Sequence, residues 1–236
     1  HPEFCEFLET VYNTGVVPNY TTNGVTLAKG GELAEKLLEA TRKYVGGVAV
    51  SFGNKALRGY AKTAVVNLLQ YGNTNVKIAA SHAGITLGED GATHQVMEDI
   101  GLMRMLPNMV VLNPCDYAQT KAATIAAAKY NGPVYIRFGR PGVPNFTPED
   151  QEFEIGKALK MIEGSDVTIF ATGHLVWESI LAAEKLQEEG ISAEVIDIHT
   201  IKPLDTKAVL ESAAKTKAVV TAEEHLIAGG MGELIA

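Results

Sequence analysis

The sequence predicts an α/β protein of two domains, the first built on a mainly parallel sheet and the second a smaller α/β unit. Three observations predict it. Short apolar runs alternate with segments of helical period along the chain. The runs are apolar throughout, as strands must be when helices cover both faces of their sheet; a one-face sheet would alternate polar and apolar residues. A proline-rich polar stretch, GRPGVPNFTPEDQEFEIG at 139–156, interrupts the pattern, with Pro141, Pro144 and Pro148 barring any regular element. The domains are therefore expected at 1–140, with an atypical N-terminal part, and at 157–236, joined by a linker at 141–156.

In chain order, Glu32 to Tyr44 reads as a helix, with Leu33, Leu37, Leu38 and the following Val45 at helical spacing and Gly30–Gly31 as the loop before it. Strands are expected at Gly47–Phe52, Val76–Ala80, Met109–Leu112 and Val134–Phe138, separated by helices around 56–70, 94–105 and 116–130. The second block repeats the scheme: strand DVTIFAT, helix ESILAAEKLQEEG, strand AEVIDIHT, helix DTKAVLESAAK and strand AVVTAEE. Gly190 is placed to stop the first of these helices, and Pro203 with Asp205 to start the second. A further element opens at GGMGELIA, so the second domain is expected to be incomplete. The start at His1, without Met, points the same way, to a processed or partial chain.

Composition narrows the function. In 236 residues, 28 acidic against 20 basic side chains leave a formal charge of −8, which offers no basic field to a nucleic-acid backbone or an anionic membrane surface. A local basic pocket for a small phosphate stays compatible with that sum. Two cysteines, Cys5 and Cys115, are too few for a disulfide scaffold or thiolate cluster; both are expected to be free thiols in a cytoplasmic setting. Neither a basic leader nor an apolar run of membrane-spanning length is present.

The densest polar and glycine-rich segment, SHAGITLGEDGATHQVMEDIGLMRMLPN, leaves the strand VKIAA and brings His82, Glu89, Asp90 and His94 to a strand exit, where open α/β sheets gather ligands. Gly84, Gly88 and Gly91 permit tight turns or close backbone approach, and the two histidines can exchange protons near neutrality. Helix capping by Glu89 and Asp90, or metal binding without a compact ligand motif, are the competing readings. Arg137 and Arg140 end the strand in PVYIRFGRPG; either guanidinium suits a phosphate, and either suits a structural ion pair. Tyr44, Phe52 and Tyr60 offer an aromatic wall or simply core packing. His174 and His225, at later strand exits, are read as structural. No P-loop, GxGxxG or GxSxG pattern supports ATP, NAD or hydrolase chemistry.

Taken in order, GEDGATHQ, LPN at 106–108, the NP-D segment at 113–116, GPVYIRFGRP, ATG, IDIHTIKPLD and TAEEHLIAGGMGE resemble the C-terminal half of transketolase, most of all the C-terminal subunit of a transketolase split into two chains. The likeness runs from about Val76 to Ala236. It implies a thiamine-diphosphate-enzyme pyrimidine-binding domain followed by a transketolase C-terminal-like domain. It also implies reversible transfer of a two-carbon ketol unit between sugar phosphates in the pentose phosphate pathway. By the same resemblance His82 and His94 contact donor substrate and move protons, Asp90 binds a sugar hydroxyl, Arg140 holds a substrate phosphate and Phe52 packs on the pyrimidine ring. The diphosphate and its Mg²⁺ or other divalent cation fall mainly to an N-terminal partner subunit in a heterotetramer.

The sequence departs from the family upstream, where no GIAEQ- or IREH-like segment supplies the glutamate that activates the pyrimidine. Glu32, Glu35 and Glu39 read as surface carboxylates instead. Deoxyxylulose-phosphate synthase, a ketoacid dehydrogenase β subunit and a non-catalytic scaffold or regulatory subunit remain the alternatives.

Overall fold

The structure is a computed structural model and describes residues 3–16, 19–22, 25–45, 47–50, 63, 67 and 75–236. Phe52, Tyr60 and most of the helix expected at 56–70 lie outside the described residues. The chain divides into two compact units, the first drawn from 1–80, 106–108 and 130–134 and the second from 81–105, 109–129 and 135–236.

The first unit begins with α1 (Phe4–Asn13), β1 (Asn19–Thr22) and α2 (Val25–Lys29), none of them expected from the sequence, and continues through α3 (Glu32–Tyr44), β2 (Gly47–Val50) and β3 (Lys77–Ala80). β1 and β2 run parallel, and Val48 bridges to Val76 in the same sense. α3 has acidic residues in its first turn and Arg42 and Lys43 in its last, both matched to the helix dipole. Its buried residues are Ala34, Leu37, Leu38, Ala40 and Thr41; Leu37 and Leu38 are buried as expected, whereas Leu33 faces out, 38% exposed. Glu32, Glu35 and Glu39 are exposed as expected, Glu32 pairing with Lys36 at 2.8 Å. Tyr44 spends its hydroxyl on Glu9 at 2.5 Å and its ring against Tyr12.

The second unit holds α4 (Asp99–Arg104), β4 (Val110–Leu112), α5 (Tyr117–Lys129) and, from Tyr135 on, β5 (Val134–Arg137). After the irregular stretch follow β6 (Leu159–Ile162), β7 (Val167–Ala171), α6 (Leu175–Glu188), β8 (Ala193–Asp197), β9 (Thr200–Lys202), α7 (Thr206–Thr216), β10 (Val219–Ala222) and α8 (Met231–Ile235). One sheet has the order β10-β7-β8-β6, with β7 parallel to both neighbours and β6 antiparallel to β8. Successive strand residues point to opposite faces, and both faces are covered: Phe170, Ile196 and Ile198 pack with Val209 and Met231, while Ile169 and Val195 pack with Ala183 and Ala193. This double cover is why Ile169 and Phe170, and Val195 and Ile196, are apolar at successive positions.

Two features differ from the expected βα alternation. The segment read as the single strand AEVIDIHT breaks at Ile198–His199; β8 stays in its own sheet, and β9 pairs antiparallel with β4, so β5, β4 and β9 lie side by side. The linker is tied down as well, because the Asp116 carboxylate accepts the Phe146 and Thr147 amides at 2.9 and 2.6 Å and the Thr147 hydroxyl at 2.7 Å. Asp205 caps α7 as expected, accepting the Ala208 amide at 3.1 Å. No helix among the described residues is long and apolar enough to cross a membrane.

Candidate functional site

The loop that follows β3 is closed into a defined shape by its own backbone. Gly84 and Val96 exchange both amide–carbonyl hydrogen bonds, at 2.8 and 3.1 Å, and the Ala83 amide donates to the Phe138 carbonyl at the exit of β5. Between the closing residues Leu87 is fully buried, and Gly88 to Thr93 form a 3-10 turn with Gly88 and Gly91 in the left-handed region at φ 68° and 58°. Those angles strain any side chain with a Cβ, which accounts for the glycines of the GEDG run. The GEDG carboxylates therefore sit on a short 3-10 segment kinked at Gly91 rather than at the start of the longer helix expected at 94–105, which begins at Asp99.

Arg140, just past β5, reaches across to this turn, donating to the Leu87 carbonyl at 2.7 Å and forming a close ion pair with Asp90. Both side chains remain 37% exposed, so the pair is reachable by solvent and by a ligand. His82 is half-buried and occupies the left-handed region at φ 65°, a conformation that costs a non-glycine residue about 1–3 kcal/mol and persists only where surrounding structure holds it. Its Nδ1 lies 2.9 Å from the Ser81 hydroxyl.

His94 is exposed, with Nδ1 2.9 Å from the Thr93 hydroxyl. That hydroxyl has one proton and gives it to the Asp90 carbonyl at 3.0 Å, so it must accept from His94. The neutral ring therefore carries its proton on Nδ1 and turns Nε2 outward as a proton acceptor. Among the described residues no hydrogen bond joins His82 to His94 or either histidine to Arg140. What the loop brings together directly is Asp90 with Arg140, and, through Thr93, His94 with the Asp90 backbone.

Arg137 takes the structural course: it forms a buried two-point ion pair with Asp99, at 2.8 and 3.2 Å, and Tyr135 donates to the same carboxylate. His225 accepts the Gly101 amide at Nε2 and meets the Leu226 carbonyl at Nδ1, leaving no ring nitrogen for a ligand. His174 precedes α6 and faces Glu224, Nε2 to Oε2 3.5 Å. Glu224 itself escaped the sequence reading. It lies in the turn after β10, and its Oε1 accepts the Ile85 and Thr86 amides of the histidine loop at 2.7 Å each. The only sequence signal was a second carboxylate in the TAEEH run, with nothing to say that its partners lie far back in the chain. Phe52 lies outside the described residues, and among those described no group of three or more His, Cys, Asp or Glu is arranged to hold a metal ion.

Comparison with known proteins adds the family. The pyrimidine-binding domain of transketolase matches residues 37–145 and the transketolase C-terminal domain matches 156–236. A protein of Methanocaldococcus jannaschii, provisionally named a transketolase C-terminal section, is 44% identical over 98% of this chain and 69% of its own length. A 6-deoxy-6-sulfo-D-fructose transketolase subunit of a Clostridium species is 49% identical over 70% of this chain, and an apulose-4-phosphate transketolase subunit of Phocaeicola vulgatus is 39% identical over 71%. The matches span 52% and 54% of those two proteins. A solved structure described as a split-gene transketolase, inactive β4 tetramer, superposes with a TM-score of 0.76 at 35% identity, covering 99% of this chain and 82% of that one. With both domain types present in order and a relative matched along nearly the whole of this chain, the protein belongs to the transketolase family.

Proposed function

We propose that the chain is the C-terminal subunit of a split transketolase, which acts with an N-terminal subunit to move a two-carbon ketol unit reversibly from a ketose phosphate to an aldose phosphate. The observation that carries the reading is the Asp90–Arg140 pair formed between the loop 81–96 and the exit of β5, on a loop that also carries His82 and His94. This set suits a phosphorylated polyhydroxy substrate, so the residues described fit the substrate end of a thiamine diphosphate site. The diphosphate and its divalent cation are assigned to the partner, since among the described residues no group of three or more His, Cys, Asp or Glu is arranged to hold a metal ion. When bound, thiamine diphosphate supplies a carbon nucleophile and electron sink for breaking the bond next to a ketose carbonyl.

The roles proposed for this chain's residues follow from their surroundings. His94, with Nδ1–H held by Thr93, takes a proton at Nε2 from a substrate hydroxyl and returns it. His82, fixed by its backbone conformation, acts on the donor sugar, and Asp90 accepts a sugar hydroxyl. Arg140 exchanges part of its contact with Asp90 for the substrate phosphate, a charge-assisted pair of the same kind. Phe52 is proposed to pack on the pyrimidine. The domain limits proposed are 1–140 and 157–236 about a linker at 141–156, in a cytoplasmic heterotetramer. The description of the split-gene relative as an inactive β4 tetramer supports the need for a partner.

Reconstitution tests the reading. Mixed with an N-terminal transketolase subunit, thiamine diphosphate and Mg²⁺, the chain is expected to catalyse ketol transfer that neither subunit shows alone. Stable assembly without transfer across a panel of ketose and aldose phosphates overturns it in favour of a scaffold.

A further inference from the structure

We infer that Glu224, contributed by the C-terminal domain, is a positioning residue for the histidine loop; the inference deepens the proposed function and rests on it. Glu224 is buried at the turn after β10. Its Oε1 accepts two consecutive amides, from Ile85 and Thr86, at 2.7 Å each. Two N–H donors converging on one carboxylate oxygen make strong charge-assisted bonds and fix the orientation of the intervening peptide plane.

The approach is possible only because residue 84 is glycine. A Cβ there would stand 2.0 Å from Oε2, and φ is +78°. Glu224 is in turn held at its own backbone. Arg137, locked by its ion pair with Asp99, donates to the Glu224 carbonyl at 2.8 Å. A chain of contacts therefore runs from Asp99 through Arg137 and Glu224 to the peptide groups of 85 and 86.

Those groups stand at the base of the loop. Gly84 and Val96 close it, Gln95 donates to the Ile85 carbonyl at 2.9 Å, His82 precedes it by two residues and His94 ends it. Rotation of the 84–86 backbone is transmitted to both imidazoles, which touch Glu224 at no point. The remaining oxygen, Oε2, is buried without a hydrogen bond and has His174 Nε2 at 3.5 Å, longer than a good bond. A carboxylate serving burial alone would be expected to satisfy both oxygens. Here one oxygen is committed wholly to the loop.

The test replaces Glu224 by residues of similar length in the full chain. Glu224→Gln keeps a carbonyl acceptor for the two amides and directs its NH2 toward His174. Glu224→Met keeps the bulk and removes the acceptor. In ¹⁵N-labelled protein the imidazole resonances of His82 and His94 and the amides of Ile85 and Thr86 are expected to shift in Glu224→Met and to return to their wild-type positions in Glu224→Gln. In the reconstituted complex kcat is expected to fall 10- to 100-fold for Glu224→Met with KM for the donor changed less than threefold, and to stay within threefold of wild type for Glu224→Gln. If Glu224→Met does not fold, Glu224→Asp, which withdraws the acceptor by one methylene and keeps the charge, takes its place with the same expectations. Histidine resonances unmoved when the acceptor is lost, or a Gln variant as impaired as Met, overturn the inference. Absence of transfer by the wild-type complex refutes the proposed reaction instead, and the resonance measurements still decide the role of Glu224.

Discussion

Replacement of Arg140 by alanine separates ligand recognition from folding. In the free chain Arg140 holds the Leu87 carbonyl and Asp90, with both charged side chains 37% exposed, so the ion pair is screened by water and contributes about 0–1 kcal/mol to stability. A phosphate on the same guanidinium gains a charge-assisted interaction of about 1.5–3 kcal/mol, which corresponds to about 10- to 150-fold in kcat/KM at 1.4 kcal/mol per tenfold. Arg140→Ala is thus expected to lower kcat/KM by that factor for phosphorylated donors while shifting the unfolding free energy by no more than about 1 kcal/mol. Lysine, a point charge without the two-pronged donor geometry, is expected to recover only part of the loss. The assay pairs initial rates on a phosphorylated ketose and its unphosphorylated counterpart with denaturant titration of each variant. Equal losses on the two donors would refute the assignment of Arg140 to the phosphate.

His94→Ala removes an exposed ring and is expected to leave assembly and stability unchanged while reducing turnover about 10²- to 10⁴-fold in the reconstituted enzyme; unchanged turnover excludes the proton-transfer role. Burial pushes the Asp197 carboxyl up to about 7, outweighing its hydrogen bond from Gln119. The native state then holds a proton that the unfolded state releases near pH 4, so stability declines as pH rises between about 4 and 7, by up to about 1.4 kcal/mol per unit from this group. Denaturation curves at pH 5 and 8 should show that decline in the wild type and its removal in Asp197→Asn. Asp99→Ala strands the buried Arg137 guanidinium and is expected to cost about 3–5 kcal/mol in chemical denaturation, whereas a loss below 1 kcal/mol would mean that Arg137 finds another partner.

Local patterns carried the parts of this molecule in which neighbours in sequence decide the outcome. Phe170, Ile196 and Ile198 announce covered strands because both faces of their sheet are apolar, and Asp205 announces a helix start because its carboxylate serves an amide three residues on. The GEDG turn was legible as a polar loop for the same reason. Long-range pairing was not legible. Nothing in IDIHT shows that the chain leaves one sheet at His199 and joins another, since buried isoleucines continue on both sides of the break at Ile196, Ile198 and Ile201; the break becomes visible only through the pairing of Leu112 with Thr200. Glu224 was missed for the same physical reason, because its ligands lie 138 and 139 residues away. Leu33 misled because a leucine beside a helix start counts toward periodicity whether or not it faces the core.

The crossing of β9 to β4 has a consequence for any attempt to separate the two domains. A cut within 139–156 falls in a stretch without regular structure, yet it severs chain continuity between two strands that zip together across the cut. Each half then displays a naked ladder of amides and carbonyls, an invitation to self-association. Produced together, the halves retain the complementary ladders that hold the intact chain. The stretch that looks most expendable in the sequence is therefore a site for fragment complementation, and a poor place to make an isolated domain.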